Sequence, residues 1–328
     1  MDVLRRLTVP TGDILVVSGE HGHLECLSLG DYGKAVNVKA DFMGLSRDPG
    51  VVTHTDLLPL EHKWVITVST QYGCSMGCPY CDVPKVGPGR NATLEDLAGQ
   101  IVLAKSLHPE VTQSDRLNVH FARMGEPTWN PAVIACAEWL RGGLPGFNVH
   151  PVVSTMMPRH NGGLPVFIYE WMRLKNGAYQ GNAGLQISVN STDEREREFL
   201  FHGNALTLAD IAHVMAGNAP EGRKVTLNFA VAGYQIDPSV LLRNFDPAHY
   251  LVKLTPMHKT QAAGERGIAT GGDYTTLHPY QADEDALKSA GYDVLVFVAS
   301  EAEDLGRITC GNAILAGTMP EVPYTEVV

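Results

Sequence analysis

Three cysteines stand close together in the segment Cys74-Ser-Met-Gly-Cys78-Pro-Tyr-Cys81. Their spacing, C-x3-C-x2-C, supplies three thiolates, one fewer than the four that complete the ligand set of a [4Fe–4S] cluster. One iron is then open to a further ligand, just as an open position marks a catalytic rather than a structural zinc. The spacing therefore predicts an iron–sulfur cluster whose fourth iron binds a substrate or cofactor.

The same thiols allow two other interpretations, a zinc knuckle and a set of unrelated core cysteines. Structural zinc takes four ligands, and the sequence has no second C-x2-C pair. Gly73, Gly77 and Pro79 suit a backbone that turns tightly around an inorganic cluster. The iron–sulfur interpretation is favoured, and a non-catalytic iron–sulfur or zinc protein remains an alternative.

This motif resembles the cluster motif of the radical S-adenosylmethionine (SAM) superfamily, and its surroundings resemble the RlmN/Cfr family of RNA adenine methyltransferases. The similarity includes Val68-Ser-Thr-Gln-Tyr-Gly-Cys74 and Lys85-Val-Gly87, and it covers residues 64–317. It implies a [4Fe–4S] cluster, SAM on the open iron, and an electron donor such as flavodoxin or ferredoxin. The chemistry would belong to the cofactors, which the protein binds and shields from water.

Composition indicates a folded protein with an ample core. The chain has 328 residues, 44% of them hydrophobic and 19% charged. No apolar run approaches the ~20 residues that span a bilayer, and the N-terminus lacks the apolar stretch of a secretory signal. Because a thiolate cluster also suits a reducing compartment, we expect a cytoplasmic protein without a membrane partner.

The net charge of −11 argues against a nucleic-acid binder, which normally carries a basic surface. Residues 281–328 alone contain nine Asp or Glu and two Lys or Arg. No basic run or stripe is visible in the sequence. RNA is therefore disfavoured as a partner, and a small-molecule or nucleoside-like substrate is preferred.

The strand and helix pattern predicts an α/β fold. From residue 64 onward, apolar runs typical of strands alternate with helical periodicity, which favours βαβ units and a mainly parallel sheet. The predicted strands are 65–68, 117–121, 149–154, 184–189, 225–231, 250–255 and 294–298, and the first predicted helices are 93–104, capped by Asn91 or Thr93, and 130–140. Alternation within residues 13–43, including Val36 with Val38, predicts a small β-meander.

The family resemblance favours a partial (β/α)6 radical SAM barrel with its site at the carboxyl ends of the strands. We expect three parts: a β-rich extension at residues 1–60, the barrel at 61–300, and a segment at 301–328 that carries Cys310. The helical RNA-binding domain of the family is expected to be missing, because the first 60 residues have the pattern of strands and loops.

The resemblance also indicates residues that bind SAM. Gly125 and Glu126 match the G-E-P element, in which a glycine allows a close backbone approach and a carboxylate can accept from an ammonium. Further predicted cofactor contacts follow later strands: Ser154, Ser188, Asn190 where the family has histidine, and His258 where it has asparagine. Each of these positions could instead belong to an ordinary turn or core.

Cys310 lies in Ile308-Thr-Cys310-Gly-Asn312, which resembles the A-C-G-Q segment of the family. There the cysteine is methylated by one SAM, and a radical from a second SAM abstracts hydrogen from that methyl group, which then adds to an sp2 carbon of adenine. Cys310 is thus predicted to be catalytic. The alternative is a buried structural thiol.

One family residue is missing. The second cysteine, which deprotonates the adduct, should stand seven residues before the first cluster ligand, where this chain has Thr67. A hydroxyl is not a comparable base near neutral pH. His54 and His258 are the predicted replacements, since histidine has a suitable pKa.

The preferred function is thus a radical SAM methyltransferase of methylcysteine type that methylates an sp2 carbon of a small or non-ribosomal substrate. One alternative is an RNA adenosine methyltransferase with a rearranged base. Another is a radical SAM enzyme that abstracts hydrogen directly from its substrate.

Overall fold

Strands and helices alternate along the computed structural model, which describes residues 1–270 and 273–327. The strands are β1 (Val3–Val9), β2 (Gly12–Gly19), β3 (Gly22–Leu29), β4 (Val38–Lys39), β5 (Trp64–Val68), β6 (Gln71–Gly73), β7 (Pro88–Asn91), β8 (Ser114–Phe121), β9 (Phe147–Thr155), β10 (Gly184–Ser188), β11 (Val225–Val231), β12 (Tyr250–Pro256), β13 (Asp293–Phe297) and β14 (Thr325–Val327). The helices are α1 (Lys34–Asn37), α2 (Leu94–Ser106), α3 (Ala132–Gly143), α4 (Leu164–Arg173), α5 (Glu194–Leu200), α6 (Leu208–Met215), α7 (Pro238–Asn244), α8 (Gln261–Glu265), α9 (Gln281–Ser289) and α10 (Glu301–Leu305).

Twelve of these strands, within the described ranges, form one sheet in the order β14-β1-β2-β3-β5-β8-β9-β10-β11-β12-β13-β4. The central strands from β5 to β13 are parallel to one another. Each predicted barrel strand is present, with ends that differ by up to three residues. The predicted α/β class with a large parallel sheet is confirmed.

Local sequence explains where the elements begin. Helix α2 begins after Thr93, whose hydroxyl accepts from the amide of Asp96 while the Asp96 carboxylate accepts from the amide of Thr93. This capping box satisfies amides that have no partner inside the helix. Leu97 and Ile101 lie one turn apart on the buried face, as the helical period requires. Thr93 rather than Asn91 is therefore the cap.

The N-terminal meander differs from its prediction. It comprises β1, β2 and β3, so it begins at Val3 rather than near residue 13. The prediction that Val36 and Val38 belong to one strand of the meander was wrong, because residues 34–37 form helix α1. Strand β4 begins at Val38 and pairs with β13 on the far edge of the sheet. Strand β4 therefore hydrogen-bonds to β13 and not to a strand of the meander.

Strands from the first 40 residues therefore border the parallel strands on both edges. β3 pairs antiparallel with β5, where Leu29 faces Val65, and β4 pairs antiparallel with β13, where Val38 faces Phe297. Residues 30–37 connect these two edges. At the other end of the chain, β14 pairs with β1. The proposed division at residues 60 and 300 stays a prediction, since one sheet includes strands from all three parts.

None of the helices in the described parts of the chain combines the length and the apolar character that crossing a membrane requires.

Candidate active site at the carboxyl end of the parallel strands

The cysteine loop follows β5 and is held at both ends by a short antiparallel pair. Strands β6 and β7 flank the motif, and the Cys74 amide donates to the Gly87 carbonyl at 3.0 Å. Gly73 has a φ of +80°, and a Cβ there would lie 2.1 Å from the Gly87 oxygen. Only glycine fits this approach. The loop is thus closed at its base, and its three cysteines lie at the end of β5.

All three motif thiols are partly buried. Burial raises the pKa of Cys74 to about 11, and burial with the charge of neighbouring thiols raises the pKa of Cys78 and Cys81. The protein alone therefore keeps these groups protonated, and they would lose their protons on binding iron, since only the thiolate is a metal ligand. A donor set of three soft thiolates in one loop fits a [4Fe–4S] cluster.

No three His, Cys, Asp or Glu side chains in residues 1–270 and 273–327 are grouped so that they could hold a single metal ion. A mononuclear zinc site would need its ligand atoms about 2–2.3 Å from one centre. A [4Fe–4S] cluster instead takes one thiolate on each iron, which sets the sulfurs further apart. The arrangement of Cys74, Cys78 and Cys81 is thus not a preformed zinc knuckle.

Gly125 and Glu126 lie in the turn after β8, against the cysteine loop. Gly125 has a φ of +90°, and a Cβ there would lie 2.4 Å from the Gln71 Cβ. The Glu126 amide donates to Gln71 Oε1 at 2.8 Å. These contacts place the predicted G-E-P element beside β6, at the entrance to the cysteine loop.

The Glu126 carboxylate is buried and already has several donors. Oε1 accepts from the Thr128 amide at 3.1 Å and from its hydroxyl at 2.8 Å, and Oε2 accepts from the Met156 amide at 3.0 Å. Burial raises the pKa of Glu126, although hydrogen bonds from Thr155 and its other donors oppose the shift. The residue thus joins the ends of β8 and β9, and its predicted contact with a SAM ammonium stays a prediction.

Ser154, Ser188 and Asn190 lie at the carboxyl ends of β9 and β10. In the sheet Ser154 is beside Gln186, and Ser188 is beside Asn228, whose Oδ1 is buried and has no hydrogen-bond partner in the described structure. An unpaired buried amide oxygen needs a partner. Asn228 is thus an unpaired polar residue beside the predicted SAM contacts, and the sequence analysis did not identify it.

Asn190 connects this edge to the cysteine loop. Its φ is +60°, a left-handed conformation that asparagine tolerates better than most residues. Its Oδ1 accepts from the Ala230 amide at 3.0 Å, and its Nδ2 donates to the Tyr80 hydroxyl at 3.3 Å. Tyr80 lies between the second and third motif cysteines, so Asn190 positions the loop. The predicted contact between Asn190 and SAM stays a prediction.

His258 lies two residues after β12, and its Nδ1 is 2.8 Å from Asp304 Oδ1. Burial alone would raise the pKa of Asp304, but hydrogen bonds from His258, Tyr274 and Thr309 lower it to about 2. The histidine thus has an ionised carboxylate beside it. That arrangement could orient the ring, and the predicted catalytic and cofactor roles of His258 remain predictions.

His54, the other predicted base, has its Nε2 at 3.2 Å from the Val298 carbonyl oxygen, directly after β13. Its ring packs edge-on against Tyr32 at 5.1 Å between centroids. Burial lowers the pKa of His54. One ring nitrogen thus has a backbone partner, and a catalytic role for His54 stays a prediction.

Cys310 lies beside the cysteine loop. The Asp82 amide donates to the Gly311 carbonyl at 2.8 Å, so the residues that follow Cys81 and Cys310 are directly hydrogen-bonded. The Cys310 side chain is accessible, in contrast to the fully buried Cys136. The surrounding protein raises the pKa of Cys310, and the nearby charges of Lys253 and Arg123 oppose the shift.

A buried ion pair, not predicted from the sequence, fixes the Cys310 segment. Arg123 donates through Nε and Nη2 to Glu25 Oε2, at 3.0 and 2.8 Å, and through Nη1 to the Arg307 carbonyl at 3.0 Å. The Leu315 amide donates to the other Glu25 oxygen at 2.6 Å. Arg123 stands two residues before Gly125 of the G-E-P element, a position that could have drawn attention to it.

Thr67, which replaces the family's second cysteine, lies in β5 with His120 as its neighbour in β8. Burial and four surrounding cations lower the pKa of His120 to about 3. His120 is thus a neutral ring at physiological pH and a weak base. Lys253, whose pKa burial lowers to about 8, is a second interior group that the sequence analysis did not identify.

The chain is similar in sequence to proteins that are named as RNA methyltransferases. The chain is 28% identical over 267 residues to the dual-specificity RNA methyltransferase RlmN of Sorangium cellulosum, a match that covers 78% of this chain and 62% of that protein. It is 32% identical over 147 residues to RlmN of Desulfosudis oleivorans, covering 44% of this chain and 36% of the relative. The chain thus spans less than two thirds of the length of these relatives.

No family model matches the chain. Among solved structures, it resembles a radical SAM methyltransferase from Sphaerobacter thermophilus with a TM-score of 0.62 and 20% identity, covering 92% of this chain and 77% of the other. That likeness supports the fold. The RlmN matches, together with the C-x3-C-x2-C loop at the end of β5, make the chain similar to the RlmN/Cfr-like family of radical SAM proteins.

Proposed function

We propose that this protein is a methyltransferase of the methylcysteine type, in which Cys310 carries the methyl group to an sp2 carbon of a nucleobase. The hydrogen bond between the Asp82 amide and the Gly311 carbonyl, at 2.8 Å, is the observation that carries the proposal. It holds the accessible Cys310 next to the cluster-binding loop, where a carrier thiol must be in order to meet both SAM and acceptor.

The residues present fit the cofactors of this family. Cys74, Cys78 and Cys81 would hold three irons of a [4Fe–4S] cluster, and SAM would lie across the carboxyl ends of β8, β9 and β10. When bound, the cluster and SAM supply an electron, a methyl group and a 5′-deoxyadenosyl radical. The protein's own contribution is to bind these groups and to position Cys310.

Glu126 and Asn190 hold the backbone around the proposed cofactor site in place. Glu126 fixes the amide of Met156 at the end of β9, and Asn190 fixes Tyr80 in the cysteine loop. Both side chains are buried, so their contacts are shielded from water. The partly exposed hydroxyl of Ser188 remains to donate a hydrogen bond to SAM or to accept one from it.

The acceptor is the least constrained part of the proposal. The relatives' names describe RNA methyltransferases, and they give no support to the small-molecule acceptor expected from the sequence. The net charge of −11 favours an acceptor with few phosphates. We therefore take a nucleobase as the acceptor and let the assay compare a structured RNA with free nucleosides and nucleotides.

The test follows the methyl group. Protein reconstituted anaerobically with iron and sulfide would be incubated with methyl-labelled SAM and digested, and the peptide that contains Cys310 would be examined by mass spectrometry. We expect one added methyl on Cys310 and none on Cys136, a buried thiol that serves as an internal control. Recovery of Cys310 only as a free thiol, in protein that cleaves SAM, would exclude the methyl carrier.

A second candidate, direct abstraction of hydrogen from substrate, is favoured by Thr67. This hydroxyl lies where the family's second cysteine would stand. The two candidates differ in the Cys310→Ala variant. Methyl transfer requires Cys310, so product should disappear while uncoupled 5′-deoxyadenosine still forms, with Cys136→Ala as the matched control. Full product yield from Cys310→Ala would favour direct abstraction.

A further inference from the structure

A cavity opens among the parallel strands, at the end opposite the cysteine loop. Its volume is about 640 Å³, within the range of small-molecule sites. It is lined by residues that precede or begin the parallel strands, such as Lys63 before β5, Arg223 before β11 and Asp293 at the start of β13. We call it the basal cavity. The predicted cluster and SAM residues do not line it.

The basal cavity is basic, although the protein is strongly acidic. Six lysines and arginines line it: Lys34, Lys63, Arg116, Arg223, Lys224 and Lys253. Its carboxylates are Asp31, Asp293 and Glu303. Two of the acids are already paired, Asp31 with Lys63 at 2.7 Å and Asp293 with Lys224 at 2.7 Å. The third, Glu303, accepts from the Ser300 amide at 2.6 Å.

Four cations of the cavity remain without a carboxylate within 4 Å in the described residues, namely Lys34, Arg116, Arg223 and Lys253. Their available partners are weak. Arg116 Nε donates to the neutral Asn118 side chain at 3.1 Å, and Lys253 Nζ lies 4.9 Å from the centre of the Phe297 ring. All four side chains are partly buried in the cavity wall, and a counter-charge nearby stabilises a charge that is partly removed from water.

The pKa shifts in the cavity reflect this unrelieved charge. Burial and repulsion from Arg116 lower the pKa of Arg223 to about 10. Burial and repulsion from Arg116, Lys63 and Arg223 lower the pKa of Lys34. Burial is the larger cause of both shifts, and an anion in the cavity would oppose them because it favours the charged forms of these side chains.

A buried ring nitrogen also lacks a partner. His150 lines the cavity with only 8% of its surface exposed, and its Nδ1 has no hydrogen-bond partner in the described structure. Burial lowers the pKa of His150, and Arg116 and Arg223 add to that shift. The lowered pKa favours the neutral ring, so the cations of the wall, rather than His150, supply the positive charge of the cavity.

Part of the wall is apolar. Val65, Val152, Leu295 and Phe297 line the cavity together with the cations. Small-molecule sites commonly combine such a wall with a few well-placed polar groups. An occupant would thus have an anionic group among the arginines and a less polar body against these side chains.

We propose that the basal cavity binds a small phosphorylated molecule, with its phosphate held by Arg116, Arg223 and Lys253. The arginine side chain suits phosphate, because its planar fork donates two parallel hydrogen bonds. The inference goes beyond the proposed methyl transfer and does not depend on it, since none of the cysteines lines this cavity.

The test measures phosphate binding by the full-length protein. Isothermal titration calorimetry with pyrophosphate should show saturable binding, and adenosine 5′-monophosphate should bind where adenosine does not. The variant Arg223→Met removes one charge-assisted contact, so pyrophosphate binding should weaken about tenfold to a hundredfold. Arg159→Gln, which removes an exposed arginine paired with Glu198, is the matched control and should leave binding unchanged.

Folding is checked independently. Because Arg223 lacks a carboxylate partner, Arg223→Met should retain or raise the melting temperature of the protein without ligand. A lower melting temperature without ligand would assign Arg223 a structural role and overturn the proposal. So would an absence of saturable pyrophosphate binding, or equal weakening by Arg159→Gln. Binding of a single-stranded RNA but not of pyrophosphate, lost in Arg223→Met, would overturn it in favour of RNA.

Discussion

Removal of the Glu25 carboxylate should both destabilise the protein and release the Cys310 segment. Glu25 is fully buried, and its two oxygens accept three hydrogen bonds, two from Arg123 and one from the Leu315 amide. In Glu25→Ala the Arg123 charge stays buried without its partner, which costs about 3–5 kcal/mol. The abandoned Leu315 amide adds a penalty of about 1–3 kcal/mol if water does not reach it.

Urea unfolding followed by circular dichroism measures this loss as a shift of the midpoint at constant slope. Glu198→Ala is the matched control, because Glu198 forms an exposed pair with Arg159 at 2.9 Å, and such pairs contribute at most about 1 kcal/mol. Glu25→Gln keeps an acceptor and should lose less than Glu25→Ala. If Glu25→Ala and Glu198→Ala shift the midpoint equally, the ion pair does not hold the fold as argued.

Three further results are expected. Cys78→Ala should lose the iron and the visible absorption of reconstituted protein, and retention of four irons per chain would contradict the ligand assignment. Gly125→Ala should lower stability by about 1–3 kcal/mol, because a Cβ there meets Gln71 at 2.4 Å, whereas Gly142→Ala has open space and should be neutral in the same thermal melts. His120 has a pKa of about 3 in the folded protein, against 6.5 in the unfolded chain. Between these values the unfolded chain binds more protons, so the stability of the protein falls as the pH is lowered from 6.5 to 3. His120→Gln should reduce this fall, measured as urea midpoints at several pH values.

The parallel strands and the cysteine loop could be predicted because each depends on local sequence. Apolar runs separated by helical periodicity are the signature of βαβ units, and the cysteine spacing is short. Strand β1 was missed for a local reason too. Its adjacent arginines, Arg5 and Arg6, break the alternation of the strand, and the register between β1 and β2 shifts between Val3 and Arg5.

The basal cavity could not be predicted, because its cations come from separate elements. Lys253 lies within the apolar run of β12, where alternation gives no sign of whether the intervening polar side chain faces solvent or the barrel interior. Arg116 and Arg223 precede or begin other strands and are more than one hundred residues apart. Only the folded sheet brings them together. The net charge of −11 therefore gave no indication of a cavity lined by basic residues.

The antiparallel strands at the two sheet edges affect the order in which the chain can fold during synthesis. Strand β4 is synthesised early, but its partner β13 is the last of the parallel strands to be synthesised. The Glu25 carboxylate likewise accepts from the amide of Leu315, which is 290 residues later in the chain. Contacts so distant in sequence form slowly. Until these contacts form, the unpaired edge of β4 is exposed to pairing with other chains, and the inner face of the sheet is exposed to association with them. The cysteine loop, whose flanking strands end at Asn91, is therefore synthesised more than two hundred residues before Cys310, which lies beside it in the folded chain.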